Sequence, residues 1–130
     1  MATVRKILKE YSIRPRKRLG QSFLEDKNII NKIIAVSGVQ NDDVVVEIGA
    51  GLGIMTELLA EKAGRVVAID VDPLMIDILR KRLGNSPHVE IIEQDILSCD
   101  LSAVPTGSPS AKLKVIGNIP YNISTQILFH

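Results

Sequence analysis

Asn118-Ile119-Pro120-Tyr121 is a compact set of parts for handling a flat, amino-bearing base. The side-chain oxygen of Asn118 accepts a hydrogen bond from an amino group. Pro120 makes the turn rigid, and Tyr121 offers a ring on which a base displaced from its stack can lie. A buried turn aromatic is the plainer account of Tyr121, but its place directly after Asn-Ile-Pro favours stacking. The four residues follow an apolar run, Lys114–Gly117, that reads as a strand.

A second group lies upstream, in Glu47-Ile48-Gly49-Ala50-Gly51-Leu52-Gly53. Glycines let a chain turn sharply and bring a ligand close to the main chain. A dinucleotide fingerprint needs its third glycine at position 54, which is Ile. Glu47 precedes the glycines, and a carboxylate there repels a pyrophosphate and attracts a cation. S-adenosylmethionine, with its ammonium and sulfonium, is such a cation. Asp70 stands about twenty residues on, where an acid takes ribose hydroxyls. It could instead cap a helix, but Asp72 fills that role better. Asp95 is placed to accept from the amino group of an adenine, with the backbone of Ile96 alongside. Taken alone, Asp95 is more often a loop-initiating residue. Glu93, Asp42, Asp43 and Asp100 read as surface charges, and His88 as solvated.

These residues need a scaffold that brings them to one place. Val44–Ile48 is a continuous apolar run, as in a strand buried on both faces of a parallel sheet. A helix follows over about 54–62, then a strand over 65–70. Asp72-Pro73 is an N-cap with proline at the first helical position, opening a helix that ends near Leu83-Gly84. Val89–Glu93 is the third strand and Lys114–Gly117 the fourth. Upstream, residues 3–10 form a short basic helix. A further helix runs from an Asp26 cap to about Val36, ended by Gly38. Alternating strands and helices specify an open α/β sheet, with strand order 3-2-1-4. Ligands of such sheets sit beyond the carboxyl ends of the strands. Gly49–Gly53, Asp70, Asp95 and Asn118 each follow one of the four strands.

The chain has 130 residues, fits one domain, and is 45% hydrophobic with no Trp. A lone Cys99 excludes an internal disulfide and fits a reducing, cytoplasmic setting. No Cys/His cluster offers a metal site, and no apolar run reaches membrane-spanning length. Charge is unevenly spread. Residues 1–20 hold seven basic side chains and one acid, a net +6, while the remainder carries −5. A basic arm on an acidic body points to a polyanionic partner, against the alternative of a solvated tail.

With Gly20-Gln21-Ser22-Phe23-Leu24, Glu47–Gly53, Gln94-Asp95 and Asn118–Tyr121 in this order, the chain resembles the ribosomal RNA adenine N6-dimethyltransferases. The small-subunit enzymes are the nearest in pattern. The resemblance runs from about residue 14 to the end. It implies a Rossmann-like, S-adenosylmethionine-dependent methyltransferase fold with a mostly parallel sheet. It implies that Gln21 closes over the cofactor's methionine end, with Phe23 and Leu24 beside it. Glu47, Gly49 and Gly51 would hold the amino-acid and ribose portions, Asp70 the ribose, and Asp95 and Ile96 the adenine. Asn118, next to the cofactor, and the carbonyl of Ile119 would accept from the target N6 amino group. Tyr121 would stack on the flipped base. Arg14, Arg16, Lys17 and Arg18 would meet ribosomal RNA phosphates. Ser22 stands where the family commonly has Asn or His, and Asp70 is shorter than the Glu often found there.

Members of that family continue with further strands, a second aromatic contact and a small helical domain. The expectation is a basic arm over residues 1–20 and an N-terminal methyltransferase portion over 21–130, its sheet cut short after strand four. Such a portion is expected to be inactive alone and to self-associate through its open sheet edge. The runner-up is a cofactor- or RNA-binding module without activity. A nicotinamide-dependent dehydrogenase is disfavoured by Ile54 and by Asn-Ile-Pro-Tyr.

Overall fold

The computed structural model describes residues 3–13, 27–98 and 113–117. Helices α1 (Val4–Glu10) and α2 (Lys27–Ser37) precede strand β1 (Val44–Ile48). Then come α3 (Ile54–Lys62), β2 (Arg65–Asp70), α4 (Pro73–Leu83), β3 (Val89–Glu93), a 3-10 turn (Ile96–Ser98) and β4 (Leu113–Gly117). The four strands form one sheet in the order β3-β2-β1-β4, with every pair parallel. That is the order expected from the sequence, and the strand and helix bounds agree to within a residue or two.

Local chemistry sets the ends of these elements. Thr3 caps α1, its hydroxyl accepting from the Lys6 amide at 3.2 Å. Gly38 follows α2 at φ +66°, a left-handed position that suits a residue without Cβ. Asp72 accepts from the Leu74 amide at 2.9 Å, with Pro73 opening α4.

β1 is buried along its whole length, as a central parallel strand must be. Side chains alternate across it, so register assigns each residue a face. Val45 and Glu47 pair with Val66 and Ala68 of β2, on the side where α1, α2, α3 and α4 pack. Val44, Val46 and Ile48 point the other way, with Val67 and Ile69.

Two features depart from the sequence expectation. The basic segment 1–20 is divided: α1 is seated on the core through Val4 and Ile7, both buried. Tyr11 packs there too, with Lys81 of α4 5.9 Å from its ring centre, a cation–π contact. Apolar residues at i, i+3 and i+7 gave this helix a stripe to bury. Arg5, Lys6 and Lys9 remain exposed, and Arg14, Arg16, Lys17 and Arg18 lie outside the described residues. Asp43 is not a surface charge. It is 2% exposed and accepts from the Gln40 amide at 2.8 Å, with Lys114 Nζ at 3.9 Å. Its carbonyl accepts from the Gly64 and Arg65 amides, tying the entry of β1 to that of β2. Asp42, Glu93 and His88 are exposed as expected, whereas Asp100 lies outside the described residues.

Candidate functional site

The carboxyl ends of β1, β2 and β3 gather Glu47, the glycine turn, Asp70 and Asp95 on one edge of the sheet. Gly49, Gly51 and Gly53 all have positive φ, at +70°, +59° and +85°. Such backbone disfavours side chains, which leaves main chain uncovered at the turn. The Gly49 and Ala50 amides donate to the Ile69 carbonyl at 2.9 and 3.2 Å, fixing the start of the turn to β2. At Gly53 a Cβ would lie 2.8 Å from Leu79 Cδ2, so this glycine lets α3 approach α4. Arg82 of α4 donates to the Leu52 carbonyl and lies 3.2 Å from Glu57, bracing the turn from below.

Asp70 is engaged on both oxygens. Oδ2 accepts from the Gly51 amide at 2.8 Å, and Oδ1 from the Asp72 amide at 2.9 Å. Each carboxylate oxygen keeps a further lone pair, so Asp70 can still accept from hydroxyl donors. Burial raises the Asp70 pKa, the two backbone amides oppose this, and the charge of Asp72 adds to it. The same carboxylate thus shapes the glycine turn and offers itself at the edge.

Glu47 is 2% exposed and lies on the helix-covered face. The hydroxyl of Thr56, itself fully buried, donates to its Oε1. Burial pushes the Glu47 carboxyl up to about 8, the Thr56 bond works against this, and the negative charge of Asp70 works with it. A carboxyl with so raised a pKa, buried beside a glycine turn, can ionise in answer to a cation. A positive group brought close draws off the proton and takes its place.

Asp95 is exposed, accepts from the Leu97 amide at 3.0 Å, and opens the turn that begins at Ile96. The Gln94 amide donates to the Asp70 carbonyl at 3.0 Å, holding the ends of β3 and β2 together. Sequence reasoning passed over Val71. It is 61% exposed between Asp70 and Asp72 and offers an apolar surface beside the acids, fit for the face of a ring. A valine between two aspartates at a strand's end was the available signal. Thr56 and Arg82 carried none, since only the folded chain brings them to Glu47 and Leu52. Gln21, Phe23, Leu24, Asn118, Ile119, Pro120 and Tyr121 lie outside the described residues; β4 ends at Gly117, just before Asn118. Among the described residues no group of three acidic, His or Cys side chains can hold a metal. No described helix is long and apolar enough to cross a membrane.

A parallel 3-2-1-4 sheet, with an acid leading into glycines after β1 and acids after β2 and β3, is the Rossmann-like methyltransferase fold. The sequence pattern of the family described as ribosomal RNA adenine dimethylase matches residues 13–130, and the chain belongs to that family. The chain is 44% identical over its whole length to ribosomal RNA small subunit methyltransferase A of Syntrophus aciditrophicus (strain SB), of which it covers 46%. The chain spans less than half the length of this curated relative. Among solved structures, 23S rRNA methyltransferase ErmE superposes with a TM-score of 0.71 at 30% identity, over 83% of this chain and 41% of that one. A dimethyladenosine transferase from Plasmodium falciparum gives 0.69 at 32% identity, over 83% and 37%.

Proposed function

We propose that the protein transfers methyl groups from S-adenosylmethionine to N6 of adenines in small-subunit ribosomal RNA. The observation that carries this reading is the buried carboxyl of Glu47 beside the Gly51–Asp70 clamp, in a chain of this family. The residues fit the cofactor: Glu47 for its cationic end, Asp70 for the ribose, Val71 and Asp95 for the adenine, and bare glycine backbone between them. Gln21, Phe23 and Leu24 would close the site. When bound, the cofactor supplies a methyl group on a positively charged sulfur.

The protein's part is positioning. The N6 lone pair of adenine is delocalised into its ring and is a poor nucleophile. The Asn118 side chain and the Ile119 carbonyl would accept the two N6 hydrogens and draw the nitrogen toward a tetrahedral, electron-rich state. Pro120 would hold these acceptors rigid. Tyr121 would stack on the extruded base, returning about 1–3 kcal/mol of the unstacking cost. No strong base is needed, because the N6 proton becomes acidic only after transfer. Proximity and electrostatic positioning supply the rate. Arg14, Arg16, Lys17 and Arg18 would hold RNA phosphates. A ribosomal RNA substrate would put the protein in the cytoplasm. The outer edge of β4 is the surface through which this 130-residue stretch would associate with itself.

Calorimetry with S-adenosylhomocysteine and with NAD tests the cofactor reading; tighter binding of NAD sinks it. Methyl transfer by the intact protein to small ribosomal subunits tests the reaction. Binding without transfer would leave the reading of a non-catalytic module.

A further inference from the structure

Thr56 sits in the first turn of α3, three residues beyond Gly53, and is completely buried. A threonine within a helix ordinarily turns its hydroxyl to the carbonyl four residues back. This one donates to Oε1 of Glu47 across the gap between α3 and β1. Valine has nearly the same shape and would fill the volume, so packing does not account for the hydroxyl.

We propose that Thr56 is a positioning residue for Glu47. Its hydroxyl fixes the orientation of the carboxylate and favours the ionised form, so that the site meets the cationic end of the cofactor with a negative charge. This rests on the cofactor reading above. The surroundings of Glu47 sharpen the argument. From β2, Asp70 opposes its ionisation, while Ala68 stands opposite it in register. From β4, the register partner is the apolar Ile116. The charged side chains of α1 and α2 are exposed to solvent, and on α3 and α4 Glu57 and Arg82 pair with each other at 3.2 Å. The Thr56 hydroxyl is therefore the one influence among the described residues that favours the charged carboxylate against burial and Asp70.

The test is calorimetric titration of the intact protein with S-adenosylhomocysteine between pH 6 and 9.5. The ligand's own amine titrates identically for every variant, so differences between curves report the protein. Thr56→Val should displace the affinity curve upward by about one pH unit, the scale of a hydrogen bond to a charged group. Affinity then falls about tenfold at pH 7 and converges with the unaltered protein at the alkaline end. Thr56→Ser should restore the original curve, and Glu47→Gln should remove the displacement. If Thr56→Val does not fold, Thr56→Ala removes the same hydroxyl and should give the same shift. An unshifted curve, or an equal loss at every pH, overturns the inference while leaving the cofactor reading in place. No binding by the unaltered protein at any pH overturns the cofactor reading, and the inference with it.

Discussion

The amide of Gly51 donates to the carboxylate of Asp70, nineteen positions later, at 2.8 Å. That bond joins the glycine turn after β1 to the end of β2, and Asp70 passes the constraint on through the Asp72 amide to the head of α4. A residue read as a ligand contact is equally part of the frame that shapes the site.

Replacement of Asp70 by Ala should therefore do two things. It strands the Gly51 and Asp72 amides in a partly buried place, lowering stability by about 1–3 kcal/mol. It also weakens S-adenosylhomocysteine binding. Thermal unfolding and calorimetry on the same sample read both. Unchanged stability would show that the clamp is slack.

Glu47 makes stability depend on pH. Its carboxyl is raised from 4.5 to about 8 in the folded chain, so between those values the folded state holds a proton that the unfolded state has released. Stability should then fall as pH rises through this window, by up to about 1.4 kcal/mol per pH unit. Glu47→Gln should flatten that contribution. Denaturant unfolding of the ligand-free protein from pH 5 to 8 measures the slope.

Asn118→Ala in the intact protein should abolish methyl transfer while leaving cofactor affinity nearly intact. Removing one preorganised polar contact of this kind costs about a hundredfold to a thousandfold in rate. Single-turnover assays on small ribosomal subunits, beside calorimetry, separate the two effects. Near-normal turnover would falsify the assigned role.

The basic segment is best tested by charge rather than by deletion. Removing residues 1–20 would strip Val4 and Ile7 from the core and confound binding with unfolding. Substituting Gln at Arg14, Arg16, Lys17 and Arg18 leaves α1 in place. RNA affinity should fall, and its dependence on salt should flatten by about one unit of slope for each phosphate no longer neutralised. An unaltered slope assigns these side chains to solvent.

Much of the frame was legible in the sequence because its punctuation is strong. Asp72-Pro73 fixed the start of α4, Gly38 the end of α2, and the run Val44–Ile48 the central strand. Parallel strands, the first three joined by single helices, then left little choice of order. The contacts between elements were not legible. Periodicity assigns Glu47 to a face, but it does not say that Thr56 waits there. Asp43 read as a surface charge, because nothing in the sequence says that the entry of β2 closes over it. The exposed charges of α1 concealed the short stripe of Val4, Ile7 and Tyr11, because apolar residues interleaved with the cations Arg5, Lys6 and Lys9 resemble a solvated arm until something covers them.

Lys114 of β4 donates to the carbonyl of Ser37 at 2.6 Å, across 77 residues of chain. β4 lies beside β1 on the flank opposite β2 and β3, which short crossovers join. Closing so long a loop costs chain entropy before any contact rewards it. The β1–β2–β3 unit should therefore assemble from near neighbours first, with β4 and its lysine latch pairing last. Asn118 follows β4 directly in the sequence, so the residues proposed to meet the substrate begin where the longest-range strand pairing ends.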